Sequence, residues 1–218
     1  MYMRIQSSIK LIMVCIIAMQ LTACGILAVG GVAAGAGIMA DRRTPGVQAI
    51  DRGIELEANA ALSKKFGDNA HINVSSFNQK VLLTGEAKDT NVKTEAGDYV
   101  KAMKNARSVF NELMIGPNSS YTARANDAYL ESKIKTQMIF TEKLPSNSMS
   151  IIAEGSSIYL MGILTQNEAD LAKKIASNTN GVKDVYVYFD VISETEKTRL
   201  EKQGKAEQTQ PSSPPKYQ

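Results

Sequence analysis

The chain has 218 residues, enough for one or two domains, and 44% of them are hydrophobic with no Trp. Its formal net charge is +3, but Arg4 and Lys10 at the extreme N-terminus supply two of those charges, so the remainder carries about +1. That balance excludes a strongly basic nucleic-acid binder, and any electrostatic partner has to be met by a local patch.

The N-terminus opens on a short basic region, Arg4 and Lys10, followed by the uncharged run Leu11 to Gln20. This is the pattern of a secretory leader. It ends in Leu21-Thr22-Ala23-Cys24-Gly25, which resembles the lipobox of bacterial lipoproteins. The resemblance implies cleavage of a signal peptide, residues 1–23, and acylation of Cys24, the lipidation site. Gly25 in place of Asp implies an outer-membrane address. The competing reading is an uncleaved anchor, because residues 11–40 hold no charge and Gly31 and Gly35 form a small-xxx-small pair. Against it, the stretch from Gly25 to Ala40 is mostly Gly and Ala, which are weakly hydrophobic and flexible. Cys15 falls in the leader and Cys24 would carry lipid, so the mature chain has neither a disulfide pair nor a cysteine metal site.

Residues 24–49 read as a Gly/Ala-rich tether closing on Asp41-Arg42-Arg43-Thr44-Pro45-Gly46, with Pro-Gly as a turn. Arg42 and Arg43 either meet lipid phosphates near the anchor or simply solvate the linker.

From Asp51, taken as a helix N-cap, Ile54, Ala58, Ala61 and Leu62 recur at helical spacing. Glu55, Glu57 and Asn59 fall on the outer face. Two strands follow, Ile72 to Val74 and Val81 to Leu83, joined at Asn78-Gln79 and closed by Gly85. Ala96, Tyr99, Val100 and Met103 predict a second helix, and Ser108 to Leu113 a third strand. After the linker, residues 117–124, the order repeats. Asp127 is read near an N-cap; Leu130, Ile134 and Met138 form a buried stripe; Met149 to Ala153 and Ser157 to Met161 are strands around Gly155, closed by Gly162. A helix on Ala169, Ala172, Ile175 and Ala176 precedes a strand on Val185, Val187, Phe189 and Val191. The strand pairs recur about 77 residues apart, the mark of a duplicated unit. The fold class is therefore α+β, two tandem αββαβ units at residues 50–116 and 125–193, each a three-stranded mixed sheet packed by two helices.

These units resemble BON domains on Val81-Leu82-Leu83-Thr84-Gly85, Ile158-Tyr159-Leu160-Met161-Gly162 and Gly181-Val182-Lys183-Asp184-Val185. With the lipobox and Asp41-Arg42-Arg43-Thr44, the whole is similar to dual BON-domain outer-membrane lipoproteins of the DolP/YraP-like family. In the first unit Asn105-Ala106-Arg107-Ser108-Val109 replaces the Gly-Val start of the last strand.

At 100° per residue, Tyr129, Ser132, Thr136, Ile139 and Phe140 fall away from the core stripe of the second unit's first helix, with Lys133 and Lys135 on opposite flanks. Outward hydrophobes framed by lysines suit a helix that dips into a membrane interface. The competing reading packs Tyr129, Ile139 or Phe140 against the first unit. The resemblance implies that the second BON domain binds anionic phospholipid through this helix, with Tyr129 at an aromatic position where a family member has Trp. It also implies a periplasm-facing, lipid-anchored protein serving envelope integrity, enriched at division sites. Its implied partners are the outer-membrane protein assembly machinery or regulators of peptidoglycan amidases. A protein-binding adaptor whose only lipid contact is the acyl anchor is the alternative.

No enzyme motif appears. His71 reads as a solvated or capping residue, and the acidic residues are scattered with nothing in the sequence to pair them for acid–base work. The expectation is a non-enzyme with no metal, no cofactor beyond the lipid on Cys24, no nucleic acid and no small-molecule substrate. Residues 194–218 read as a charged, then Pro/Ser/Gln-rich tail, largely disordered, whose first part can extend as a helix.

Overall fold

The computed structural model describes residues 41–209. The leader, Cys24 and the Gly/Ala-rich segment lie outside them, as does the Pro/Ser-rich end of the tail. The order is α1 (Pro45–Phe66), β1 (Ala70–Phe77), β2 (Lys80–Ala87), α2 (Thr90–Lys101), β3 (Ser108–Asn111), β4 (Met114–Ile115), α3 (Tyr121–Ile139), β5 (Met149–Glu154), β6 (Ser157–Leu164), α4 (Gln166–Ser177), β7 (Val185–Val191) and α5 (Glu194–Thr209). The class is α+β with two mixed sheets. In each, a hairpin is antiparallel and the third strand returns parallel to its second arm. The first sheet gains a strand beyond the expected three. Leu113 turns into the core, splitting the last strand, and β4 then re-pairs with the far end of the eight-residue β2.

Both first helices begin earlier than their aspartates suggest. Thr44 caps α1, its hydroxyl accepting from the Val47 amide at 3.3 Å with Pro45 at the first position. Ser120 does the same for α3. Asp51 is no cap: it is buried mid-helix and accepts from the amides of Asn78 at 2.8 Å and Gln79 at 2.7 Å and from Ser76 Oγ at 2.8 Å. Asp127 holds the second hairpin the same way, accepting from the amides of Gly155 at 3.0 Å and Ser156 at 2.8 Å. A two-residue turn with positive φ at both positions leaves amides unpaired, and one carboxylate from the covering helix satisfies both. Asn105 adopts φ 75° where the second unit has Gly181 at φ 102°. Asn tolerates that region best among side-chain residues, so the missing Gly leaves the loop geometry intact.

β2 and β6 are buried along almost their whole length on both faces. One face of each meets the helices of its own unit. The other faces meet each other: Phe77, Leu82 and Phe110 from the first unit pack with Ile152, Tyr159, Met161, Ile163 and Tyr188 from the second. Phe110 and Tyr188 lie 4.3 Å apart, Tyr188 Oη donates to Glu112 Oε1 at 2.8 Å, and Lys80 and Arg107 both pair with Asp190. The two domains thus join sheet to sheet.

Residues 41–44 are neither linker nor lipid contact. Arg42 is 4% exposed and reaches the second domain, donating to Glu168 through both Nη1 and Nη2, at 2.7 and 2.9 Å, to the Ile163 carbonyl and to Glu201 of α5. Arg43 stays with the first domain, pairing with Asp41 and Asp51 and lying 3.8 Å over the Phe77 ring. The expected tail is likewise structured over α5, where Leu200 packs into the domain seam and Lys197 pairs with Glu168 at 3.0 Å.

Burial pushes the Glu168 carboxyl up, but hydrogen bonds from Arg42, the Thr165 amide and Lys197 outweigh it and hold the group at about 2. A carboxyl lowered from 4.5 in the folded state adds stability that is present above 4.5 and lost as pH falls toward 2. The expected result is a urea midpoint that drops between pH 5 and pH 3 by more in the native protein than in Glu168→Gln. Equal drops in both would show that Glu168 is not part of the acid response.

Candidate functional site

α3 buries Asp127, Leu130, Ile134 and Met138 against its own sheet. Its opposite face stays open, because the domain seam is made of sheet faces. Tyr129 is 63% exposed, Ile139 55% and Phe140 82%. None of them packs against the first domain, so that reading fails. Phe140 is the helix C-cap, its amide donating to Thr136 O at 3.2 Å, so it belongs to the same face rather than to a loop leading away.

The flanking lysines differ. Lys135 is exposed. Lys133 is half-buried: its Nζ donates to the Asn180 carbonyl at 3.2 Å and lies 5.9 Å over the Tyr129 ring. It steadies that ring as well as adding charge. Behind Lys135, burial pushes the Glu131 carboxyl up more than Lys135 and the Ala153 amide pull it down.

Sequence reasoning missed Tyr121. It starts α3, is 86% exposed, and sits under the Arg124 guanidinium at 5.1 Å. The signal was present: Tyr121 and Ile139 are 18 residues apart, five full turns, and so share one azimuth. Assigning residues 117–124 to a linker hid it. The face therefore runs the whole length of the helix, with Tyr121 at one end and Ile139 and Phe140 at the other. Cys24 lies outside the described residues. Among the described residues no helix is long and apolar enough to cross a membrane. The first domain's counterpart, α1, shows exposed Glu57 and Leu56, while Glu55 is partly buried and accepts from the Ser76 amide.

The BON domain family matches residues 50–117 and 126–193. Outer membrane lipoprotein DolP of Haemophilus influenzae is 30% identical over 174 residues, covering 79% of this chain and 90% of its own. The 21 kDa hemolysin of Actinobacillus pleuropneumoniae is 27% identical, covering 70% and 79%. Among solved structures, CdsD, a structural protein of the type III secretion system of Chlamydia trachomatis, is similar at 14% identity over 69% of this chain and 68% of its own. The TM-score of that match is 0.27. The chain belongs to the BON-domain family, as a dual-BON, DolP-like outer-membrane lipoprotein. That membership makes it a non-enzymatic protein.

Proposed function

We propose that this protein is held at the outer membrane, facing the periplasm, by acyl chains on Cys24, and that the open face of α3 adds a reversible contact with anionic phospholipid. The observation that carries the reading is the set Tyr121, Tyr129, Ile139 and Phe140, all exposed on one helix whose other side is fully used by the core. Apolar groups of this kind enter the acyl boundary, tyrosines sit at headgroup level, and Lys135 with Lys133 meets phosphate. Two attachments on one chain reinforce each other through effective concentration, so the helix need bind only weakly to hold the protein in anionic regions. The wider role we assign is envelope integrity. Enrichment at division sites, and contact with the outer-membrane assembly machinery or amidase regulators, belong to the same reading.

The test is flotation of residues 41–218, which keep α5, with vesicles of anionic or neutral headgroups. Binding to anionic vesicles alone, weakened by salt, is expected. Tyr129→Ala with Ile139→Ser removes apolar area that enters the interface and is expected to lower the partition constant about tenfold or more. Absence of binding to either vesicle would sink the lipid role of α3, leave Cys24 as the membrane link, and direct attention to protein partners of that face.

A further inference from the structure

The domain seam holds a second constellation, apart from the exposed face of α3. On the interface side of the first sheet, His71 lies opposite Glu86 and Asn73 opposite Thr84 across β1 and β2. Glu154, the last residue of β5, reaches this patch from the second domain, where Asn73 Nδ2 donates to its Oε2 at 2.9 Å. One donor atom each from His71, Glu86 and Glu154 lies within 4.8 Å of the other two. Glu86 and Glu154 are 6% and 3% exposed. Two carboxylates held this close and this far from water disfavour each other, and the His71 Nδ1 lies 3.2 Å from Glu86 Oε2.

Two hydroxyls beside the carboxylates are also left over. Thr84 is 1% exposed and projects from the same strand face as Leu82 and Glu86. Its Oγ1 has no hydrogen-bond partner among the described residues. The Ser119 amide donates to Glu86 Oε2 at 3.0 Å, and its buried Oγ likewise has no partner among the described residues. Buried polar groups are ordinarily satisfied, and here two unpaired hydroxyls belong to Thr84, opposite the Asn73 that bonds Glu154, and to Ser119, whose amide bonds Glu86.

The geometry points to an interdomain site for a divalent transition-metal ion of the Zn²⁺ type, ligated by His71, Glu86 and Glu154. An imidazole nitrogen with two carboxylate oxygens suits Zn²⁺ or its first-row neighbours; Ca²⁺ and Mg²⁺ take oxygen ligands. Ligands about 2.0–2.2 Å from such an ion stand no more than about 4.4 Å apart, so side-chain adjustments of under about 1 Å close the set. Asn73 on Glu154 and the Ser119 amide on Glu86 are the outer hydrogen bonds that orient ligating carboxylates. Ser119 Oγ or water completes the shell. Because the ligands come from β1 and β2 of one domain and β5 of the other, the ion ties the two sheets together, and binding stabilises the folded pair.

The test uses the full-length protein in detergent, washed with EDTA and titrated with ZnCl₂ by calorimetry, with thermal unfolding followed by circular dichroism. One equivalent is expected to bind and to raise Tm. Glu154→Gln keeps an oxygen for Asn73 and nearly the same volume, and should weaken binding at least about tenfold, as should His71→Gln; Asn73→Ala should weaken it about tenfold. Co²⁺ should give visible d–d absorption that His71→Gln alters or abolishes, a signature that loss of packing alone would not produce. CaCl₂ and MgCl₂ should leave Tm unchanged. Far-UV circular dichroism in EDTA verifies that each variant is folded, and Glu154→Gln alone decides the matter if His71→Gln unfolds. The proposal is overturned by absence of stoichiometric Zn²⁺ binding, by Zn²⁺ binding that folded Glu154→Gln leaves unchanged, or by an equal response to Ca²⁺.

Discussion

Gly85→Ala is expected to lower the stability of the first domain by about 3–5 kcal/mol, combining backbone strain with a backbone clash. Gly85 has φ 111°, a region that side-chain residues rarely enter. A Cβ there would run into the His71 carbonyl oxygen, on the neighbouring strand of an eight-residue antiparallel pair. Backbone locked in a ladder cannot step aside as a side chain can, so β1 must lose register locally or β2 must bend. The duplicated position provides an internal comparison. Gly162 does not have positive φ, and its added Cβ meets the Ser148 oxygen at 2.8 Å and Met149 Cβ at 3.0 Å. Gly162→Ala therefore carries the clash without the φ strain and is expected to cost less. Thermal unfolding separates the two, with about 6–20 °C lost for Gly85→Ala in a chain of this size. A loss under about 2 °C, or a larger loss for Gly162→Ala, would contradict the argument.

The same two glycines show what was legible in the sequence. Short apolar runs ending in Gly85 and Gly162, at one offset, reveal the duplication. The stripes Ile54-Ala58-Leu62 and Leu130-Ile134-Met138 recur at helical spacing, and all six are buried. Hairpin turns at Asn78-Gln79 and Gly155-Ser156 follow from residues that accept positive φ. Local chemistry fixes these features, so a local reading finds them.

What was not legible depends on partners far along the chain. Asp51 and Asp127 look like caps because aspartate is a good cap, and nothing nearby says that a hairpin turn 25 or more residues away will claim them. Arg42 finds Glu168 across 126 positions. α5 has little apolar content, and Leu200 alone does not announce a helix that packs. His71, Glu86 and Glu154 come from three strands in two domains. One missed feature did carry a signal. β6 reads Ile158-Tyr159-Leu160-Met161 with no polar alternation, the pattern of a strand covered on both faces. With helices on one side, the other side required a second layer, and the first domain's sheet supplies it.

The second large effect concerns Arg42. It stands just before α1 of the first domain yet is buried against the second, where it donates to both oxygens of Glu168, to the Ile163 carbonyl and to Glu201. Its backbone amide adds a bond to Ser148 Oγ at 3.2 Å. Arg42→Ala removes this in one step and leaves Glu168 buried with Lys197 as its remaining cationic partner. Breaking one side of a buried pair costs about 3–5 kcal/mol, because the surviving charge is uncompensated. Arg42→Met with Glu168→Met replaces both charges by apolar groups of similar length and should recover much of the loss. The two ends of the chain should loosen together, since Glu201 of α5 and residues 41–44 share this one guanidinium. Urea unfolding measures the stability, and hydrogen exchange at Leu200 and Glu201 reports whether α5 is released. A change below about 1 kcal/mol for Arg42→Ala, or α5 amides protected as in the native protein, would mean the lock is dispensable. If it holds as expected, Arg42 pins the start of the described chain to the second domain while Arg43 and Thr44 stay with the first, so residues 41–44 are fixed at the seam between the two. On the proposed reading, with the anchor at Cys24 and lipid contact at α3, a fixed start at the seam would let the two attachments reinforce each other.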